Sequence, residues 1–297
     1  MLRCHKLSKR YGSTLALDSV DLALERGKPI ALVGPNGAGK TTLLSILCGF
    51  VRPSGGEVEV LGCRPGSRAL VGRLSALPQD AQLDPRFAIN RQLALFARLR
   101  GMSANQASRD AQRVLEIVGL TDAAGARPGE LSHGMRKRIA IAQALLGTPE
   151  LVLLDEPTAG LDPENARAIR KLIGEHADTT SFIVSSHNLD ELEKLCDSVV
   201  HIDRGRVREQ IGIRDMANKG YLTIGIQPAH RDSIVAVLEA LPGVERVATT
   251  GDGNLLLEFD PTRHVRMDVD VVSALADGQL DYRHLIRGRT LEDQLFD

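Results

Sequence analysis

The chain contains no tryptophan, and aromatic residues make up only 3% of it. A core must therefore be built from Leu, Val, Ile and Ala, without large aromatic blocks. Four cysteines (Cys4, Cys48, Cys63 and Cys196) form no C-x-x-C pair and no zinc-ligand spacing, which excludes a zinc module read from spacing. They read as four reduced thiols acting as small apolar residues, as suits a cytosolic protein. No apolar run approaches the roughly 18 residues of a membrane-crossing helix. The N-terminus, M-L-R-C-H-K-L-S-K-R, has no apolar signal core. If the protein works at a membrane, something else must hold it there. No internal repeat or low-complexity tract is present.

What is there is ordinary for a globular chain: 297 residues, 43% apolar and 25% charged. That length is comfortable for two domains, and the aliphatic content suffices for a sizeable core. The net charge of −1 hides an asymmetry. Residues 215–297 hold 8 Lys and Arg against 14 Asp and Glu, and residues 1–214 hold 29 against 24. A mildly basic front suits a phosphate ligand, and an acidic tail argues against nucleic acid.

Val20–Leu24 alternates like a strand. Pro29–Val33 is a short apolar run ending at Gly34, the pattern of a buried parallel strand. Residues from Thr41 to Cys48 read as a helix closed by Gly49, and residues 89–119 are helix-patterned. Leu151–Leu154, Phe182–Val184 and Val199–Ile202 are further buried strands with helical stretches between them. Strands alternating with helices indicate an α/β fold on a parallel sheet. The pattern breaks at residues 212–219. Beyond it, strand, helix, two strands around Gly251-Asp252-Gly253, helix and strand follow, the β-α-β-β-α-β order of a small α+β ferredoxin-like domain. The expected division is 1–213 for the first domain, with a helical subdomain at about 85–147, and 214–297 for the second.

The chemistry starts at Gly34-Pro35-Asn36-Gly37-Ala38-Gly39-Lys40-Thr41-Thr42, between the predicted strand and helix. Glycines let a backbone wrap closely and aim several N–H groups at oxygen atoms. In such a phosphate-binding loop Lys40 reaches the β- and γ-phosphates and the Thr41 hydroxyl holds Mg²⁺. The following helix adds the positive end of its dipole. Asp155 and Glu156 follow a buried strand directly, which lands them beside the phosphate crevice. Asp155 would steady Mg²⁺, and Glu156 would act as general base on the attacking water. The reading is a P-loop enzyme that binds and hydrolyses ATP.

Leu131-Ser132-His133-Gly134-Met135, about twenty residues before Asp155, is similar to the signature motif of ABC ATPases. With it, residues 1–211 resemble the nucleotide-binding subunit of an ABC transporter. His133 and Met135 depart from the commonest form of the motif; Ser132 and Gly134 are retained. The resemblance implies further roles. Tyr11 matches the aromatic on which adenine stacks. Gln79 matches the loop that reaches the metal and couples nucleotide to the transport partner. Ala159–Asp162 resembles the loop that crosses the dimer contact, which puts Asp162 near nucleotide. His187, in S-S-H-N, matches the switch histidine that holds the γ-phosphate or the attacking water. The resemblance also implies that Ser132 and Gly134 cap the γ-phosphate bound to a second subunit, so that two ATPs are sandwiched in a two-fold dimer. The resemblance would bring His133 near that phosphate, although a ring pointing into solvent is the simpler expectation.

Two classes of function compete. One is the motor of a membrane transporter, a peripheral protein at the cytoplasmic face docked on a separate permease. The other is a soluble ABC ATPase acting on DNA or ribosomes. Only 114 residues separate Lys40 from Leu154, too few for the coiled coil of DNA-repair relatives. Only one cassette is present, where translation-factor relatives carry two. Transport is favoured. The small second domain ending in T-L-E-D-Q-L-F resembles subunits of type-two exporters. Nothing in residues 215–297 looks catalytic, and His264, Asp268 and Asp270 read as a solvated helix face. Cargo belongs to the permease and cannot be read here.

Overall fold

The computed structural model describes every residue except 187–191, 193, 194, 213–219, 228, 229, 251, 252 and 288–297. The chain divides into two compact units, Met1–Gln210 and Ile211–Asp297.

In the first unit the glycine loop sits on a six-stranded, largely parallel sheet. The strands are β3 (Ile30–Val33), β5 (Leu74–Leu77), β6 (Leu151–Asp155), β7 (Ser181–Ser185), β8 (Ser198–Asp203) and β9 (Arg206–Gly212), in the order β5-β6-β7-β3-β8-β9. The pairs β5–β6, β6–β7, β7–β3 and β3–β8 are all parallel. The chain order 3, 5, 6, 7 differs from the spatial order, so β3 lies between β7 and β8. All residues of β3, β6 and β7 are buried, which is why each reads as an uninterrupted apolar run rather than an alternation. Helix α1 (Lys40–Leu47) packs Leu43, Leu44, Ile46 and Leu47 into the same core.

A second sheet of this unit is antiparallel: β2 (Thr14–Leu24), β1 (Leu2–Tyr11) and β4 (Gly55–Val60), in the order β2-β1-β4. The expected strand at Val20–Leu24 is the end of β2. Strand β1 escapes an alternation test because its register with β2 shifts three times. Lys6 and Ser19, at φ 45 and 51, mark these irregularities.

The helix-patterned stretch is two helices, α2 (Ile89–Leu99) and α3 (Ala104–Ile117). Gly101, at φ 95, ends the first. Ser103 and Gln106 form a reciprocal capping box that starts the second. Helix α4 (His133–Ala144) completes the helical subdomain, and Arg100 ties it to the sheet. Its guanidinium donates to Ser75 Oγ at 2.7 Å, to Gln143 O at 3.3 Å and to Leu146 O. Helix α5 (Pro163–His176) follows β6.

The second unit holds β10 (Gly220–Ile226), α6 (Arg231–Glu239), β11 (Val244–Thr249), β12 (Leu255–Phe259), α7 (Met267–Asp277) and β13 (Tyr282–Arg287). Its sheet runs β11-β12-β10-β13, and each neighbouring pair is antiparallel. Leu222, Ile224 and Ile226 alternate into a core shared with Ile234, Leu238 and Leu257.

Candidate functional site

The loop from Gly34 to Gly39 needs glycine at two positions for reasons of space. At Gly34, φ 149, an added Cβ would lie 2.0 Å from the Ile202 carbonyl oxygen on β8. At Gly39, φ 110, it would lie 2.6 Å from the Ala16 carbonyl oxygen. No other residue fits without moving backbone. Gly39 is also the N-cap of α1 and offers no side-chain cap, so the first N–H groups of that helix remain available to a ligand.

Lys40 is buried, and its Nζ donates to the carbonyls of Gly34 at 2.6 Å and Pro35 at 3.2 Å. The ammonium is thereby held over the loop's own concavity. Pro35, Asn36 and Gly37 form the exposed rim, and Ala38 is buried beneath it. Thr42, half-buried, follows Thr41 on α1.

Thr41 Oγ1 donates to Asp155 Oδ2 at 3.0 Å. The other carboxylate oxygen, Oδ1, accepts from Ser185 Oγ at 2.5 Å. The Glu156 N–H donates to Ser185 Oγ at 3.0 Å and to the Ser185 carbonyl at 3.2 Å. Asp155, Glu156 and Ser185 are all buried. Ser185, at the end of β7, thus positions both acids, a role the sequence reading missed. Glu156 itself sits at φ 48, a left-handed conformation that costs a non-glycine residue of order 1–3 kcal/mol.

The signature segment forms a second cluster. Ser132 is the N-cap of α4, its Oγ accepting from Met135 N at 3.1 Å, so its own proton is left to donate outward. Gly134 is buried, and an added Cβ would lie 2.5 Å from the Asn165 side chain. Asn165 is fixed by Asp162, which accepts from its backbone N at 2.9 Å and its Nδ2 at 2.7 Å. These hydrogen bonds hold the Asp162 carboxyl below the usual carboxylate range. Asp162 is therefore the N-cap of α5, both its oxygens engaged within its own chain. His133 is exposed, yet its Nε2 lies 3.8 Å from where a Cβ on Gly160 would stand. The ring rests beside the Ala159–Asp162 loop rather than simply facing water.

Lys137, one turn beyond the signature on α4, links the clusters. Its Nζ donates to the Gln79 carbonyl at 3.4 Å. Burial pushes the ammonium below the usual lysine range, against the opposing pull of Asp80, Glu156 and Asp155. The Gln79 side chain lies in an exposed segment. Tyr11 is half-exposed at the end of β1, with Lys9 Nζ 4.8 Å from its ring centroid. His187 lies outside the described residues.

A loop shaped for phosphate and followed by an acidic pair is shared by many nucleotide enzymes; the comparisons decide between them. The ABC transporter family model matches residues 17–159. A Nod factor export ATP-binding protein I of Cupriavidus pinatubonensis is 33% identical over 99% of this chain and 89% of its own length. The chain belongs to the ABC transporter family. A protein of the same name from a Rhizobium species is 32% identical over 97% of this chain and 93% of its own. Among solved structures, CbiO1 from Clostridium perfringens, described as part of the ABC transporter complex cbiONQ, is 27% identical. It covers 81% of this chain and 95% of its own at a TM-score of 0.66. A dimeric ATP-binding cassette bound to ADP and Pi in a post-hydrolysis state gives TM-score 0.66 over 72% of this chain and 99% of its own. At 24% identity it bears on the fold. As an ABC ATPase the chain binds and hydrolyses ATP. Among the described residues, no helix is long and apolar enough to cross a membrane.

The residues present fit a magnesium ion. Thr41 and Asp155 offer hard oxygen donors 3.0 Å apart. Among the described residues no group of three or more His, Cys, Asp and Glu forms a metal cage. Mg²⁺ suits this sparse set, because it keeps several waters and binds through one or two protein oxygens plus phosphate.

Proposed function

We propose that this chain is the ATP-hydrolysing subunit of an ABC exporter, peripheral on the cytoplasmic face of a membrane through a separate permease. The convergence of Lys40 and Thr41 with Asp155 and Glu156 supports the chemistry. The relatives named for Nod factor export support the direction of transport.

In this reading Lys40 exchanges its two carbonyl partners for β- and γ-phosphate oxygens. The N–H groups from Gly37 to Thr42 surround the phosphates, and adenine stacks on Tyr11. Thr41 would hold Mg²⁺, with Asp155 acting through its waters and Gln79 as a further oxygen donor, and the ion would supply neutralisation of phosphate charge. Water attacks the γ-phosphorus, the bond to the β-phosphate oxygen breaks, and Glu156 takes the water's proton. His187 holds the γ-phosphate or that water. Ser132 and the Gly134 N–H of a second copy cap the γ-phosphate from outside, a preorganised set of donors supplied in trans.

The tie between Gly134 and Asp162 through Asn165 supports pairing, since it makes the two segments expected at the dimer contact one body. A shallow cleft lined by Phe50, Leu77 and Pro78 beside Thr41 and Asp155 supports a permease dock near Gln79. Phe50 is 72% exposed there. We further assign residues from about 211 onward to a ferredoxin-like accessory domain with a regulatory role.

The test is the dependence of ATPase velocity on protein concentration. Specific activity is expected to fall on dilution through the dimer dissociation range, and Lys40→Ala to abolish turnover. Velocity strictly linear down to demonstrably monomeric protein overturns paired hydrolysis.

A further inference from the structure

Lys9 lies two residues before Tyr11 on β1 and places its Nζ over the Tyr11 ring, 4.8 Å from the centroid. A lysine above a surface tyrosine is ordinarily a loose contact, because the long stem is free to swing. This ammonium has a second anchor: it donates to the Arg52 carbonyl at 2.8 Å. The segment carrying Arg52 is itself held. Phe50 N and Val51 N both donate to the Ser45 carbonyl on α1, at 3.0 and 3.3 Å. Ser54 N donates to the Ser8 carbonyl at 2.8 Å, and Ser54 Oγ accepts from Arg10 N at 3.0 Å, so both neighbours of Lys9 are tied to the same segment. The Tyr11 backbone is fixed as well. It pairs with Thr14 across a two-residue turn with Gly12 at φ 56.

The consequence is geometric. Helix α1 begins at Lys40 in the phosphate loop, and the chain leaving its other end supplies the carbonyl that holds Lys9. The ring of Tyr11 is thereby referred to the same rigid element as the loop. Lys9 takes one face of the ring, while Tyr11 remains 47% exposed, so the opposite face is the one left for a flat ligand. We infer that Lys9 is a positioning residue for the base of the nucleotide, its ammonium closing one face of Tyr11 and presenting the other to adenine. The inference rests on the reading that adenine stacks on Tyr11, and adds to it the residue that orders the ring before nucleotide arrives.

An ordered platform raises affinity because binding no longer has to freeze the ring. A cation on one face also draws π density towards itself, which favours an electron-rich purine on the other. Stacking by itself tolerates any base, so the effect falls on affinity for the nucleotide rather than on choice of base. At an exposed site the contribution of such a contact is modest, about two- to fivefold in affinity.

Equilibrium binding of ATP and of inorganic tripolyphosphate to the full-length chain tests it, since tripolyphosphate engages the loop around Lys40 without a base. Lys9→Met removes the charge and keeps an unbranched apolar stem. It should weaken ATP about two- to fivefold and leave tripolyphosphate unchanged, whereas Lys9→Arg, which keeps the cation, should bind both as wild type does. The chain contains no tryptophan, so Tyr11→Trp supplies a single fluorophore at the site. Its anisotropy in the absence of nucleotide should fall when Lys9→Met is added, because the ring is released. Equal losses for ATP and tripolyphosphate would make Lys9 a general charge near the phosphates and overturn the inference. So would unchanged or tighter ATP binding in Lys9→Met, or an unmoved anisotropy. Tyr11→Ala scores the stacking reading separately. If it binds ATP as wild type does, that reading falls and the inference with it; if it is weakened while Lys9→Met is not, the inference alone fails.

Discussion

The Ser185 hydroxyl donates to Asp155 Oδ1 at 2.5 Å and at the same time accepts the Glu156 N–H at 3.0 Å. One small side chain at the end of β7 thus orients both acids at the end of β6. Ser185→Ala removes a charge-assisted donor from a buried carboxylate, at a cost of about 1–3 kcal/mol in stability. Turnover should fall by about tenfold or more through misplacement of the acids, with ATP affinity little changed. Ser185→Thr, which keeps the hydroxyl, should recover part of the loss. Wild-type turnover in folded Ser185→Ala protein would remove Ser185 from the positioning role.

Glu156 combines a proposed catalytic role with a backbone conformation that suits it poorly. Glu156→Gln should cut hydrolysis by about two to four orders of magnitude, the usual worth of a general base. It should also accumulate ATP-bound dimers, visible by size-exclusion chromatography. Glu156→Gly should be equally inactive yet more stable than Glu156→Gln by about 1 kcal/mol, because φ 48 is unstrained for glycine. Near-normal turnover in either variant refutes the assigned base.

Gly134 is pressed against Asn165, so Gly134→Ala must move the side chain that Asp162 holds. The expected outcome is weaker ATP-driven dimerisation with ATP binding to the monomer unaffected, read by sedimentation and by nucleotide titration. Adding Asn165→Gly vacates the space and should recover part of the dimerisation. A double variant no better than Gly134→Ala alone would place the defect elsewhere.

Arg86 hydrogen-bonds Asp84 through both its side chain and its backbone N–H, and holds that carboxyl down at about 2 from an ordinary 3.8. A depressed carboxylate stabilises the fold fully above pH 3.8, and this contribution is lost as pH falls from 3.8 towards 2. Arg86→Ala should return the Asp84 midpoint towards 3.8 in an NMR titration. It should also make the turn before α2 open at a higher pH than in wild type. An unmoved midpoint would show that the backbone N–H, and not the guanidinium, governs the group.

Burial pushes the thiols of Cys4, Cys48 and Cys196 up to about 12. The thiolate is the nucleophile, so all three should resist iodoacetamide at pH 8 in folded protein and react on denaturation. Mass spectrometry of the native reaction showing rapid labelling at any of them would contradict this burial.

Legibility from sequence tracked the distance between interacting residues. The strand, glycine loop and helix from Ile30 to Leu47 are contiguous, so the apolar run, the glycines and Lys40 could be read together. Asp155 and Glu156 were legible because they end a run buried on both faces. Strand β1 was not, because the register shifts between Cys4 and Arg10 break its alternation. Ser185 and Asn165 carry no local signal. One is a serine ending an apolar strand and the other an asparagine in a helical turn; the contact that matters for the site is with a residue about thirty positions away. His187 and the segment 290–296 lie outside the described residues.

The order of apolar runs, glycines and acids by itself determined that this is a P-loop α/β protein with the signature of an ABC ATPase. Those features depend on residue type and spacing along one segment. Only the tertiary structure decided which side chains hold that chemistry in place. Parallel pairing of β6 with β7 brings Ser185 to Asp155, and the approach of the first turns of α4 and α5 sets Asn165 against Gly134. Such contacts depend on strand order and helix packing, which no single stretch of sequence specifies.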